Sequence, residues 1–246
     1  MERNITDLLA RRSDLSTFIV HLTRDTQDGR SAKENLKRIL RKQVIEARSP
    51  FGPARSVSKK RDRDSQKCVS FSETPLEHID CLTYEIRKRG VQLSPFGLAF
   101  TRMTARKKGA NPVWYIDITP GHDWLMNPVN EIIRIRQENG SFRDSQFAKL
   151  CPFIEQMGSG RRADGLGYRK EFWWEREWRY HGDFSFLYSD IAFGLAPQDT
   201  VKELEKLVSK WTKRRIRFLD PQWSLERMIA HLAGCTAALT PFESES

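Results

Sequence analysis

The chain has 246 residues, 39% of them hydrophobic and 11% aromatic, which supplies a core for one large domain, or one domain with an appendage, and excludes disorder throughout. Its formal net charge is +10 and its sequence pI is about 9.6. That balance either merely solvates the surface or serves polyanionic partners such as nucleic acid, phosphorylated cofactors or acidic membrane surfaces.

Taken in chain order, "ITDLLARR" (5–12) predicts a short helix, and "STFIVHLT" (16–23), rich in β-branched residues, predicts a strand. His21, near the end of that strand, is either a satisfied edge histidine or a ligand-binding group that points the same way as Thr23. Ser31 and Glu34 have capping-box spacing, and Leu36, Ile39, Leu40 and Val44 recur at helical spacing, so a helix is expected over 32–46. Residues 48–67 break both periods with Pro, Gly and Ser. Six basic and two acidic residues stand between Arg55 and Lys67, and this segment reads as a loop, either idle or phosphate-binding. A strand at 68–72 and a helix capped near Thr74 follow. Strands at 97–102 and 111–117 flank a short basic helix. "NPVNEIIRIRQE" is a helix with Pro128 in its first turn. "DSQFAKLCPFIEQM" extends the helical pattern, with an interruption at Pro152, and "GSGRRADGLGYRKE" reads as a loop. A buried strand is expected at 190–197, a helix at 199–212, a strand in "RIRFLD", and a last helix over 222–234. Val201, Leu204, Leu207, Val208 and Trp211 form the apolar stripe of the helix at 199–212. Strands and helices mix without strict alternation, which points to an α+β fold with a mostly antiparallel or split sheet. Residues 1–198 would form the main domain, and 199–246 a helical extension packed on it.

The four cysteines show no C-x-x-C spacing and the five histidines no H-E-x-x-H pattern, so no metal site is expected. The opening residues do not read as a signal peptide and no apolar run is long enough for a bilayer, so a reduced, cytoplasmic setting without membrane attachment is expected. There is no P-loop, G-x-G-x-x-G or G-x-S-x-G, and neither glutamate of "WEREW" has the lysine two residues on that a nuclease would need. In "WWEREWRY" (173–180), a strand would put Glu175 and Glu177 on one face, where like charges repel. They either pair with Arg169, Arg176 or Arg179, or stand in an apolar cleft as a general base, cation stabiliser or metal ligand.

"VHLTRDTQDGRSAKENLKRIL" resembles the start of ADP-ribosyltransferase-like domains of the DarT type, in His21, Thr23, Asn35, Leu36, Ile39 and Leu40. "CVSFSETPLEHI" is similar to the second strand of such folds, and "EREWRY" to the late strand that begins at the catalytic glutamate. "VSFSETPL", "SPFGLAF", "NPVWYI" and "WEREWR…DIAFGLAP" together resemble AbiGi, an abortive phage resistance family labelled antitoxin, over about 15–200. The resemblance implies an ADP-ribosyltransferase-like split, mostly antiparallel sheet, with NAD as co-substrate. Glu177 would be the catalytic residue and Glu175 would face the acceptor. His21, Thr23, Asn35, Arg61, Arg63, Ser70, Phe71 and Ser72 would bind NAD. Family members with the histidine usually carry a tyrosine on the second strand, where this chain has Ser70, Phe71 and Ser72. The implied partners are a nucleic acid or protein acceptor and a cognate toxin or antitoxin. The alternative from the same resemblance is a non-catalytic antitoxin or sensor.

Overall fold

A computed structural model describes residues 15–85, 93–161 and 165–235. The expected helix at 5–12 lies outside these residues. The elements run β1 (Phe18–Leu22), α1 (Ala32–Lys42), β2 (Val44–Ile45), β3 (Ser49–Pro50), α2 (Lys60–Asp64), β4 (Lys67–Ser72), β5 (Gly97–Thr101), α3 (Arg102–Lys108), β6 (Asn111–Pro112) and β7 (Trp114–Asp117). They continue with α4 (Met126–Glu138), α5 (Gln146–Leu150), β8 (Ile154–Arg161), β9 (Gly167–Lys170), β10 (Glu177–His181), β11 (Phe184–Ser185), β12 (Ile191–Leu195), α6 (Gln198–Ser209), β13 (Phe218–Leu219) and α7 (Leu225–Ala233). The fold is α+β with mostly antiparallel pairing, as the mixed order of elements predicts. Two compact units are interleaved along the chain. One gathers residues 1–43, 74–102 and 186–246; the other gathers 44–73 and 103–185.

In the first unit, β5 pairs antiparallel with both β1 and β12, and β13 runs parallel to β12. Val20, Ala99, Phe193, Leu195 and Leu219 from these strands close on Ile79, Leu82 and Met228 to make its core. Helix α1 begins where the Ser31 hydroxyl accepts the Glu34 N–H at 3.2 Å. It stops at Lys42 because Gln43 takes a left-handed φ of 53°, so it is shorter than the helix expected to reach residue 46. Helix α6 ends at Ser209, which leaves Trp211 beyond the regular stripe. The expected strand in "RIRFLD" contracts to two residues, and α7 ends at Gly234, whose φ is 77°. Residues 199–235 belong to this same unit.

In the second unit, β4 pairs antiparallel with β10 and β3, β6 pairs with the other edge of β10, and β2 pairs with β11. A separate set joins β7 parallel to β8 and β8 antiparallel to β9. Three expectations fail here. Residues 48–67 are not a structureless loop: they form β3, a 3-10 turn at Pro53–Ser56 and α2, with Ala54, Asp62 and Gln66 buried. Gly52 makes this possible. Its φ is 76°, and a Cβ there would lie 2.0 Å from the Cys151 carbonyl oxygen. The helical pattern after Pro152 gives way to a strand, because Ile154–Arg161 finds hydrogen-bonding partners along both edges. In the glycine- and arginine-rich segment, residues 158–161 are the end of β8 and residues 167–170 form β9, paired with each other, where a loop was expected. Among the described residues no helix is long and apolar enough to cross a membrane.

Candidate functional site

The site is built on the β4–β10 pair of the second unit. Alternation sends Ser70, Ser72, Glu177 and Arg179 to one face of the pair, and Phe71, Trp178 and Tyr180 to the other. Ser72 stands opposite Glu177, and Ser70 opposite Arg179. The Ser70 hydroxyl donates to Glu177 Oε1 at 2.6 Å. Arg179, two residues further along the same strand, donates Nε to Oε1 at 2.9 Å and Nη2 to Oε2 at 2.7 Å.

The guanidinium of Arg179 sits at the centre of a larger network. The residue is only 1% exposed. Nη2 also reaches Glu155 Oε2 at 2.7 Å, Nη1 donates to the Pro152 carbonyl, and the group lies over the Phe51 ring at 4.3 Å. Burying a guanidinium costs several kcal/mol, an expense that only well-formed hydrogen bonds and opposite charges offset. Two carboxylates around one guanidinium leave an excess negative charge, which Arg55 and Lys170 meet by pairing with Glu155, each at 3.2 Å. Burial by itself would raise the Glu155 carboxyl, but Arg179, Lys170 and Arg55 together hold it below its ordinary value. Arg179 is likewise pushed up against the opposing effect of burial, by Glu177 and Glu155.

Tyr115 closes the arrangement from β7. Its hydroxyl accepts the backbone N–H of Glu177 at 3.1 Å. Burial pushes the phenol up to about 12, so it stays protonated at neutral pH. The Cys68 thiol is also pushed up to about 12 by burial, which removes it from thiolate chemistry. A carboxylate offers about four acceptor positions. Ser70 and Arg179 Nε use the two of Oε1 and Arg179 Nη2 uses one of Oε2, so one lone pair of Oε2 remains for a ligand hydroxyl. The Glu177 side chain is 15% exposed. It is therefore held in one orientation and only slightly exposed.

Several site expectations change. Glu175 is not an alternate residue on the strand of Glu177. It ends a 3-10 turn at Phe172–Glu175, and Arg176 then takes a left-handed φ of 47°. The ladder with β4 begins at Glu177 because Ser72, its partner, is the last residue of β4. Phe71 lies on the opposite face, 1% exposed and edge-on to Phe184 at 5.1 Å, so its ring cannot stack on a ligand beside Glu177. On that face Trp178 donates Nε1 to buried Glu73 at 2.7 Å, and Arg176 pairs with Glu73 at 3.4 Å.

Arg61 and Arg63 lie on α2, and the arginine of that segment that enters the network is Arg55. His21, Thr23 and Asn35 belong to the first unit. His21 is half-buried on β1, opposite Leu98. Thr23 is buried, and its hydroxyl bridges the Ala32 and Phe96 carbonyls at 3.0 and 2.9 Å. Asn35 is also buried and gives Nδ2 to the Arg24 carbonyl at 2.8 Å. These bonds make Thr23 and Asn35 fasteners of the β1–α1 connection. Sequence reasoning named Arg179 only as one possible partner of the glutamates, and it missed Glu155, Arg55 and Tyr115 as members of the site. Arg179 had a legible signal, an opposite charge two residues from Glu177 and so on the same strand face. Glu155 had none, because its segment read as helix.

The pattern of the family described as "Putative abortive phage resistance protein AbiGi, antitoxin" matches residues 37–215. No curated protein and no solved structure matches the chain.

Proposed function

The chain belongs to the AbiGi family of abortive phage resistance proteins, labelled antitoxin, and from that premise we propose that it transfers ADP-ribose from NAD to a nucleic-acid acceptor, with Glu177 as the catalytic carboxylate. The observation that supports this reading most is the 2.6 Å hydrogen bond from Ser70 to Glu177 across adjacent strands. It orients a carboxylate at the very start of β10, where the resemblance to ADP-ribosyltransferases puts the catalytic glutamate.

The chemistry asks little of that group beyond orientation and charge. Breaking the nicotinamide–ribose bond passes through an oxocarbenium-like state, which a fixed, ionised carboxylate stabilises electrostatically. Arg179 fixes the orientation of Glu177, and the remaining acceptor position on Oε2 suits a ribose hydroxyl. In this reading Tyr115 holds the Glu177 backbone so that the strand start does not shift. The net charge of +10 is consistent with a nucleic-acid acceptor.

One observation favours a second reading, a non-catalytic antitoxin or sensor: two hydrogen bonds from Arg179 partly neutralise Glu177 and reduce the negative field available to a developing cation. Incubation with labelled NAD and DNA, RNA or cell extract separates the two. Transfer of label that falls by about two to three orders of magnitude in a folded Glu177→Gln variant supports the transferase. No transfer, together with no NAD binding heat at millimolar ligand, overturns it and leaves the binding function.

A further inference from the structure

A concave region lies in the first unit, between α1 and the C-terminal end of α6. It is a cleft of about 560 Å³, lined by Arg30, Lys37, Arg38, Arg41 and Trp211, with Glu34 and Leu207 completing the wall. Its origin is simple. Ala32, Asn35, Leu36 and Leu40 turn one side of α1 into the core, so the intervening basic residues line the other side. Val201, Leu204 and Val208 do the same for α6. Lys33 and Lys37 then clamp the two helices by pairing with Glu203 at 2.6 and 3.1 Å, and Lys37 also holds Glu34 at 3.1 Å.

The lining carries four cations against one carboxylate, a net charge of +3. Past α6 the chain continues with Lys213, Arg214 and Arg215, all exposed. Trp211 is half-buried and its side chain lines the cleft, while its backbone N–H donates to the Val208 carbonyl at 2.8 Å and so fixes the main chain there.

We propose that this cleft binds single-stranded nucleic acid, with Arg38, Arg41 and their basic neighbours on the phosphates and Trp211 as a stacking surface for an unpaired base. Fixed cations beside one aromatic plane are what sequence-tolerant recognition of a single strand uses. A duplex would present its backbone to the cations but keep its bases stacked away from a recessed indole. An anionic membrane would need apolar side chains that protrude into it, and here Leu207 and Trp211 line a hollow instead. The proposal stands beside the transferase reading, which also takes a nucleic acid. It does not depend on that reading, because its test contains no NAD.

The test is fluorescence anisotropy of the full chain with labelled oligonucleotides of about ten nucleotides, single-stranded DNA, single-stranded RNA and duplex DNA, over a series of salt concentrations. The expected result is tighter binding of either single strand than of the duplex. Arg38→Ala with Arg41→Ala should lower the slope of log affinity against log salt by about two, roughly one per phosphate contact. Trp211→Leu should weaken single-strand binding about tenfold and leave duplex binding unchanged. A preference of DNA over RNA, or the reverse, names the natural strand and supports the site in either case. The proposal is overturned if the arginine variants, folded by circular dichroism, bind with unchanged affinity and salt slope. It is also overturned if duplex and single strand bind alike and Trp211→Leu has no effect, or if only anionic vesicles or polyglutamate bind through Arg38 and Arg41.

Discussion

Arg179 in the second unit and the lysines of α1 in the first are both basic groups beside glutamates, yet they behave as different materials. Arg179 is 1% exposed and engaged by two carboxylates, a carbonyl and an aromatic face. Lys33 and Lys37 meet a Glu203 whose side chain is 48% exposed. Water decides the difference. Without it, charges must be matched nearly atom by atom and removing one leaves the others stranded; with it, the same pairings are replaceable and the cations stay open to other anions.

The contrast is broken most sharply by Arg179→Ala. It leaves Glu177 without a cationic partner and Glu155 with only the more exposed Arg55 and Lys170, and should cost about 3–5 kcal/mol in urea unfolding. Replacing the buried part of the cluster, as Glu155→Gln, Glu177→Gln and Arg179→Met together, should cost much less than the single change, because the cations left without Glu155, Arg55 and Lys170, still reach water. Equal losses would mean that the network is not a unit.

The acid limb gives a smaller effect of the same origin. Glu155 is held below its ordinary value of 4.5 in the folded state. Its contribution is therefore present above about 4.5 and is lost as pH falls from there through the lower folded value. Stability measured on stepping pH downward should drop across that window, and Glu155→Gln should flatten the drop. A wild-type acid limb unchanged by the substitution would move the origin to other carboxylates.

At the far end of the scale, Lys33→Ala removes an exposed pair and should change stability by about 0–1 kcal/mol, less at high salt. A loss comparable to that of Arg179→Ala would erase the distinction between the two regions.

What could be read from the residues alone was local. The Ser31 cap, the apolar rows of α1 and α6, the strand over 68–72 and the α+β class follow from short-range periodicity and capping, and they are present, except that Val44 of the first row falls in β2 and Trp211 of the second lies past α6. The proximity of Ser70 and Glu177 was half legible: the resemblance drew both residues to one site, and strand register brings them to 2.6 Å. What followed from long-range pairing was invisible. Residues 154–161 have a helical-looking approach but become a strand because β7 and β9 offer partners on either side, and with that strand comes Glu155. The left-handed turn at Arg176 separates Glu175 from the strand of Glu177, since the backbone follows the end of the β4 ladder rather than the side-chain period. Sequence determined which residues could be charged, apolar or turning. Only the tertiary structure decided which charges lost their water, because burial is a property of what the rest of the chain places around a residue.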